Sequence, residues 1–218
     1  MERQIKGRDF ILLALTAFGG LGIEAIYAYA LEPLIYGAGM EEWGTGQIIA
    51  HWCITCVTWC LVAIYILWKS KHKYGFDLFM KAERIPVWKW IAAFCCVAFV
   101  LFFNWFDWGG IKIVLEFQKL GILKFCFQYL YYAVETVLFT LIIVYGQKAC
   151  ETWFHKENIP YGGIVVALTW GMAHWFTKGS LWTGIGSAIC GFSYGIVYLL
   201  MNRNIRWSYL LLLIMFCL

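Results

Sequence analysis

The sequence has few charged residues and few residues that break regular structure. Only 14% of its 218 residues are Asp, Glu, Lys or Arg, whereas about 25% is usual in a soluble domain. Three prolines and the lack of any low-complexity segment leave no stretch that would serve as a linker. The shortage of charge excludes an ordinary water-soluble fold, and the shortage of linkers predicts that residues 1–218 form a single integral membrane domain.

Apolar residues make up 62% of the chain and are arranged in long runs. A helix of about 20 residues crosses the roughly 30 Å of membrane hydrocarbon. The pattern therefore predicts an all-α polytopic membrane helix bundle with about seven hydrophobic spans. The last run has 12 residues, which leaves open whether it crosses fully. The runs are Phe10–Leu31, Ile48–Trp68, Trp88–Phe106, Leu123–Tyr145, Ile164–Phe176, Leu181–Met201 and Trp207–Leu218.

Lys and Arg residues are distributed unevenly between the two sets of alternate connections. Thirteen fall in the set that includes the N-terminus, and four, Lys112, Lys119, Lys124 and Lys178, fall in the other. Because basic loops stay on the cytoplasmic side, we expect a cytoplasmic N-terminus in a multi-pass protein of the cell membrane. The asymmetry also accounts for the net charge of +4. We therefore expect the lipid bilayer as a partner, with anionic lipid facing the basic connection Lys69–Val87, and no nucleic acid.

Cysteines and glycines are interpreted as packing residues. Most of the nine cysteines lie inside apolar runs, and the CxxC pair Cys53 and Cys56 has no second pair or suitably spaced histidine. The sequence thus indicates neither a metal site nor another cofactor. The spacing of Gly184, Gly191 and Gly195 predicts close approach of neighbouring helices.

Three ionisable residues lie near the middle of apolar runs: Glu24, Glu135 and His174. A charge at that depth costs at least about 2 to 3 kcal/mol unless it is paired or useful. We expect the three to converge on one polar cavity. Glu135 and His174 lie on adjacent antiparallel runs, where a direct carboxylate–imidazole contact would activate water or move protons. A purely structural hydrogen bond is the alternative, and His51 is interpreted as an interfacial residue.

The second half of the chain resembles a known protease family. The fourth run reads ETVLFTLII from Glu135, the fifth contains WGMAHWF from Trp170, and a glycine-rich run, a short basic turn and a closing apolar run follow. This layout resembles the CPBP family, the CAAX-protease and bacteriocin-processing intramembrane proteases also called Abi proteins. The resemblance covers a core at about residues 123–218. It implies that Glu135 and His174 are catalytic and activate a water that attacks a peptide bond.

The match to the family pattern is incomplete. Thr136 stands in place of a second glutamate and Thr140 in place of an arginine, while Leu213 and Cys217 stand where the closing helix normally carries its histidine and asparagine or aspartate. We expect Thr136, Phe139, Thr140, Trp170 and Glu24 to line a substrate pocket.

Three hypotheses about function follow from these residues. The first is a protease that cleaves a membrane-associated peptide or protein substrate, in peptide maturation or self-immunity. The second is a catalytically impaired scaffold that binds a partner. The third is a small proton- or cation-coupled transporter in which Glu24, Glu135 and His174 form a relay.

Overall fold

The computed structural model describes residues 6–80 and 83–218. Over these residues the regular secondary structure is helical, without strands. Each predicted run corresponds to one of the helices, which confirms the all-α class. In chain order they are α1 Gly7–Tyr36, α2 Thr45–Tyr74, α3 Val87–Trp108, α4 Lys112–Phe154, α5 at residues 161–178, α6 Leu181–Leu200 and α7 Ile205–Cys217.

Five helices, α1 to α4 and α6, are long and apolar enough to cross a membrane. α7 is a shorter apolar helix of 13 residues. Large apolar side chains are exposed along these helices, for example Leu34 at 83% and Phe106 at 73%. Such exposure is unfavourable in water and favourable in hydrocarbon, so the helices fit an integral membrane protein.

Two helices contain a π turn. Residues Tyr27–Leu31 form one in α1, and residues Ala167–Gly171 form one in α5. A π turn inserts a residue into the helical repeat and so redirects the side chains beside it, often at functional sites. Glu24 and Glu32 flank the first π turn, and Trp170 lies within the second.

Helix α4 reverses direction at Gly121. This residue has φ 69° and ψ 168°, a conformation that is essentially restricted to glycine. The Tyr132 hydroxyl donates a 2.7 Å hydrogen bond to Glu116 Oε1, although 16 residues of straight helix would separate the two by about 24 Å. Residues 112–120 therefore fold back along the start of residues 122–154.

Glycines allow α5 and α6 to pack at backbone contact. A Cβ atom placed on Gly195 would lie 2.2 Å from Gly163 Cα, and one placed on Gly184 would lie 2.7 Å from Trp175 Cβ. This confirms the close helix approach predicted from the glycine spacing. It also fixes the position of α5, which carries Trp170 and His174.

The ends of α2, α4 and α6 meet the starts of α1, α3, α5 and α7 at one end of the bundle. Here Arg203 pairs with Glu151 at 2.6 Å, and Lys89 Nζ donates to Asn202 Oδ1. We call this end, which also carries Arg8 and Arg206, the basic end.

At the opposite end, side chains from other helices bind the last carbonyl groups of α7. Asn104 Nδ2 donates to Met215 O at 3.0 Å, Lys112 Nζ to Phe216 O at 2.6 Å, and Tyr129 Oη to Cys217 O at 3.1 Å. These donors satisfy carbonyls that have no partner within the helix, and the lysine cation complements the helix dipole. The contacts fix α7 against α3 and α4.

Candidate functional site

Glu135 and Trp170 form a buried hydrogen bond between α4 and α5. The Trp170 indole N–H donates to Glu135 Oε1 at 2.8 Å, and the two residues are only 8% and 5% exposed. The indole can only donate and the carboxylate only accepts when ionised, so the pair is chemically matched. Because Trp170 lies in the π turn of α5, that turn determines how the indole meets α4.

His174 lies one turn after Trp170 and contacts it twice. Its Nδ1 lies 2.8 Å from the Trp170 carbonyl oxygen, and the two rings meet edge to face with centroids 4.6 Å apart. A carbonyl oxygen has no hydrogen to give, so Nδ1 carries the ring hydrogen in this contact. In the neutral imidazole, Nε2 is then the acceptor.

The expected direct contact between Glu135 and His174 does not form. No hydrogen bond or ion pair joins the two within the described part of the chain, and Trp170 instead contacts both. Glu135 Oε2 and His174 Nε2 have no hydrogen-bond partner among residues 6–80 and 83–218. These two atoms are therefore the ones available for binding a further group.

A second polar cluster surrounds His51. Its Nδ1 lies 2.6 Å from Glu32 Oε2, and its Nε2 lies 3.6 Å from Glu24 Oε1. His51 is 3% exposed and Glu32 is 4% exposed, so His51 is buried among other side chains, and its expected position at the membrane interface stays a prediction. The burial follows from the π turn of α1, which lies between the two glutamates and brings both towards α2. Sequence reasoning missed Glu32, although it stands two turns after Glu24.

The two clusters are close enough to interact. Glu24 lies within electrostatic range of both Glu135 and His174. Tyr131, which is 8% exposed, interacts with Glu24 and with Glu135. Among the described residues no hydrogen bond or ion pair joins Glu24 to Glu135 or His174, so the convergence of the three on one polar cavity stays a prediction.

The other expected pocket residues lie on α4 beside this region. The Thr136 and Thr140 hydroxyls donate to Tyr132 O and Thr136 O, at 2.7 and 2.6 Å. Phe139 is fully buried, and its ring centroid lies 5.0 Å from that of Trp170. Because each hydroxyl is used within its own helix, Thr136 does not supply the charge of the family's second glutamate, and Thr140 does not supply that of the arginine. Their role in a substrate pocket remains a prediction.

Lys112, which the sequence analysis placed in a connection between runs, is buried together with Glu116. Lys112 is 6% exposed and Glu116 is 4% exposed. Glu116 accepts hydrogen bonds from Gln128, Tyr129 and Tyr132 at 2.7 to 2.9 Å. Lys112 also lies within electrostatic range of Glu135. The i, i+4 spacing of Lys112 and Glu116 can be read from the sequence. The chain reversal that buries both residues cannot.

The described residues contain no group of three or more His, Cys, Asp or Glu side chains that could hold a metal ion. Cys53 is exposed and Cys56 half-buried, and neither is paired in a disulfide. At the positions of the family's closing residues, Cys217 is buried and Leu213 is apolar. The acid–base groups of the site are therefore carboxylates and imidazoles from α1, α2, α4 and α5.

The fold and the site define a class: an all-α protein with several helices able to cross a membrane and a buried carboxylate–imidazole region between them. Comparison with protein-family models, with curated proteins and with solved structures finds no match to the chain.

Proposed function

We propose that the chain is a divergent CPBP-like intramembrane protease that hydrolyses a peptide bond in a membrane-associated substrate. The observation that supports this best is the contact of one residue, Trp170, with both Glu135 and His174. It places a buried carboxylate and a half-buried imidazole beside one indole, each with an atom that has no hydrogen-bond partner among the described residues. A carboxylate and an imidazole are a standard pair for activating water.

Each group has a defined role in this mechanism. Glu135 Oε2 accepts a proton from a water as the water oxygen bonds to the substrate carbonyl carbon. The Trp170 hydrogen bond holds the other carboxylate oxygen and orients the group. Neutral His174 has no hydrogen on Nε2, so it takes this proton over from the Glu135 carboxyl, through an intervening water, rather than donating to the oxyanion. His174 then gives the same proton to the nitrogen of the leaving amine as the C–N bond breaks, which leaves Glu135 ionised and His174 neutral again.

The departures from the family pattern predict slow hydrolysis. Thr140 uses its hydroxyl within α4, and Leu213 carries no polar group. Loss of one oxyanion donor typically lowers the rate by about 100- to 1,000-fold. The proposed enzyme therefore turns over slowly, unless another cation reaches the oxyanion. Lys112 is one candidate, because it is buried and lies on the same helix as Glu135.

We further propose that the protein lies in the cell membrane with all seven helices as spans or partial spans and its N-terminus in the cytoplasm. The excess of Lys and Arg in one set of connections supports this orientation. Labelling of single cysteines placed at Gly39 and Lys156 with a membrane-impermeant reagent tests it. Only the cysteine at position 39 should react in intact cells, and reaction at position 156 alone would reverse the orientation.

The experiment that tests the proteolytic function compares cells carrying the native protein or Glu135→Gln for processed membrane-associated peptides. The substitution keeps the side-chain size and removes the base. Processed peptides should disappear with Glu135→Gln and persist with Glu41→Gln, which changes an exposed glutamate. Equal processing in all three would remove Glu135 from the mechanism.

The cluster around His51 favours a second candidate, a proton relay for transport. Glu32, His51 and Glu24 form a chain of contacts at 2.6 and 3.6 Å that leads towards Glu135. Alternating carboxylates and imidazoles are typical of proton pathways in membranes. Proton flux into vesicles that contain the purified protein tests this candidate. Flux that is lost with Glu24→Gln would favour transport, and no flux above that of empty vesicles would reject it.

A further inference from the structure

A large apolar cavity lies between α2, α4 and α7, on the side of Glu135 that faces the basic end. Its volume is about 720 Å³, and its walls include Leu67, Val137, Leu141, Trp207 and Leu210. Ligand-binding cavities typically have volumes of about 300 to 1,000 Å³. Because the lining is almost entirely apolar, the cavity suits a hydrocarbon chain better than a peptide or a sugar.

One cation, Arg206, stands in the wall of this cavity. Its side chain is exposed and forms no ion pair with any carboxylate of the described residues. Tyr209, the other polar side chain of this wall on α7, already donates to Ala133 O at 3.1 Å. Arg206 is therefore the group in the cavity that can bind an external anion.

A neighbouring polar cavity is lined by the carboxylates of Asp77, Glu151 and Glu157, and the first two of these have basic partners. Asp77 pairs with Lys71 at 2.8 Å, and the hydrogen bond from Lys71 lowers the pKa of that carboxyl. Glu151 pairs with Arg203 at 2.6 Å. Asp77 and Glu151 thus have their own basic partners, and among the described residues none of the three carboxylates forms an ion pair with Arg206.

Further basic residues surround the cavity at the basic end. Trp207, in the cavity wall, packs edge to face on Trp90, and Lys89 precedes Trp90 on α3. Lys73 is exposed and Lys69 half-buried at the end of α2, close to Leu67 in sequence. Basic residues at this depth attract anionic lipid headgroups.

We propose that this cavity binds one acyl chain of an anionic phospholipid, with the headgroup phosphate at Arg206. The apolar walls accommodate the chain and the arginine complements the negative phosphate, for which guanidinium is well suited. Val137 lies two residues after Glu135, about 3 Å further along the α4 axis. Residues two apart on a helix point to opposite sides, so the bound chain lies across α4 from Glu135, and the proposal does not depend on proteolysis.

The test is photo-crosslinking of the purified full-length protein in phosphatidylcholine vesicles. One set of vesicles contains a minor fraction of photoactivatable phosphatidylglycerol, and a matched set contains photoactivatable phosphatidylcholine. Crosslinked residues are mapped by mass spectrometry. Phosphatidylglycerol should label the cavity walls about fivefold more than phosphatidylcholine. This ratio corresponds to the attraction between one basic residue and an anionic lipid surface.

Two variants and one control separate the headgroup from the chain. Arg206→Gln should reduce cavity labelling by phosphatidylglycerol to the level of phosphatidylcholine, whereas Lys156→Gln, which removes an exposed cation outside the cavity, should leave it unchanged. Leu210→Trp should fill the cavity and reduce labelling by both lipids. Equal labelling by the two lipids in the native protein would overturn the proposal. Undiminished labelling in Arg206→Gln or Leu210→Trp would also overturn it.

Discussion

The indole N–H of Trp170 donates a 2.8 Å hydrogen bond to Glu135 Oε1, across 35 residues of sequence and between two helices. The acceptor is a buried carboxylate, so the bond combines a structural contact with control of a candidate catalytic group. A hydrogen bond to a charged group contributes about 1.5 to 3 kcal/mol, and one between neutral groups about 0.5 to 1.5 kcal/mol.

Trp170→Phe should therefore lower the free energy of unfolding by about 1.5 to 3 kcal/mol, because the ring is largely kept and the donor is lost. Trp59→Phe is the matched control, since the Trp59 indole donates at 2.9 Å to a neutral acceptor, Gly20 O. Reversible denaturation in lipid–detergent micelles measures both. An equal loss in the two variants would show that Glu135 is not charged in the folded protein.

His51 should be essential for stability because it lies between two carboxylates. Only the imidazolium can donate from both ring nitrogens, towards Glu32 at 2.6 Å and Glu24 at 3.6 Å. His51→Leu leaves Glu32 buried without a partner, and breaking such a pair costs about 3 to 5 kcal/mol. The same denaturation measurement detects this loss.

The double variant His51→Leu, Glu32→Leu provides the control for that prediction. Removal of both polar partners eliminates the uncompensated charge, so most of the stability should return. Glu32 Oε1 has no hydrogen-bond partner among the described residues. Removal of this carboxylate should therefore add to the stability that the double variant regains. A double variant that is no more stable than His51→Leu would contradict the pairing.

The contact between α5 and α6 should tolerate no side chain at Gly195. A methyl group there would lie 2.2 Å from Gly163 Cα, a backbone atom that cannot move without its helix. Gly195→Ala should destabilise the protein by about 1 to 3 kcal/mol, as expected for overpacking. Gly19→Ala, where the added methyl meets nothing within 4 Å, should be neutral or stabilising. Similar destabilisation by both variants would show that the helices are not in close contact.

Much of the fold was predictable because membrane helices follow from run length alone. The seven apolar runs correspond to the seven helices, and the spacing of Gly195 and its neighbours indicated a close approach that the structure shows. These features depend on distance along a helix, which the sequence gives directly.

The contacts within the site could not be predicted because they depend on which way each side chain faces. The π turns in α1 and α5 redirect Glu32 and Trp170, and nothing in the apolar pattern marks such a turn. The reversal at Gly121 buries Lys112 and Glu116. In the sequence, Gly121 lies just before an apolar run, and nothing distinguishes it from the other glycines of the chain. The sequence shows how far along a helix each residue lies, but it does not show which way the side chain faces. The contacts of the site were missed for this reason.

Cleavage by the purified protein in ¹⁸O-labelled water tests the central claim most directly. Native protein and Glu135→Gln are reconstituted in vesicles with a mixture of membrane-associated peptides, and new C-termini are analysed by mass spectrometry. If Glu135 activates water, native protein should produce new C-termini that carry one ¹⁸O atom from the solvent, and Glu135→Gln should produce none. No new termini from the native protein, or the same labelled termini from both proteins, would contradict it.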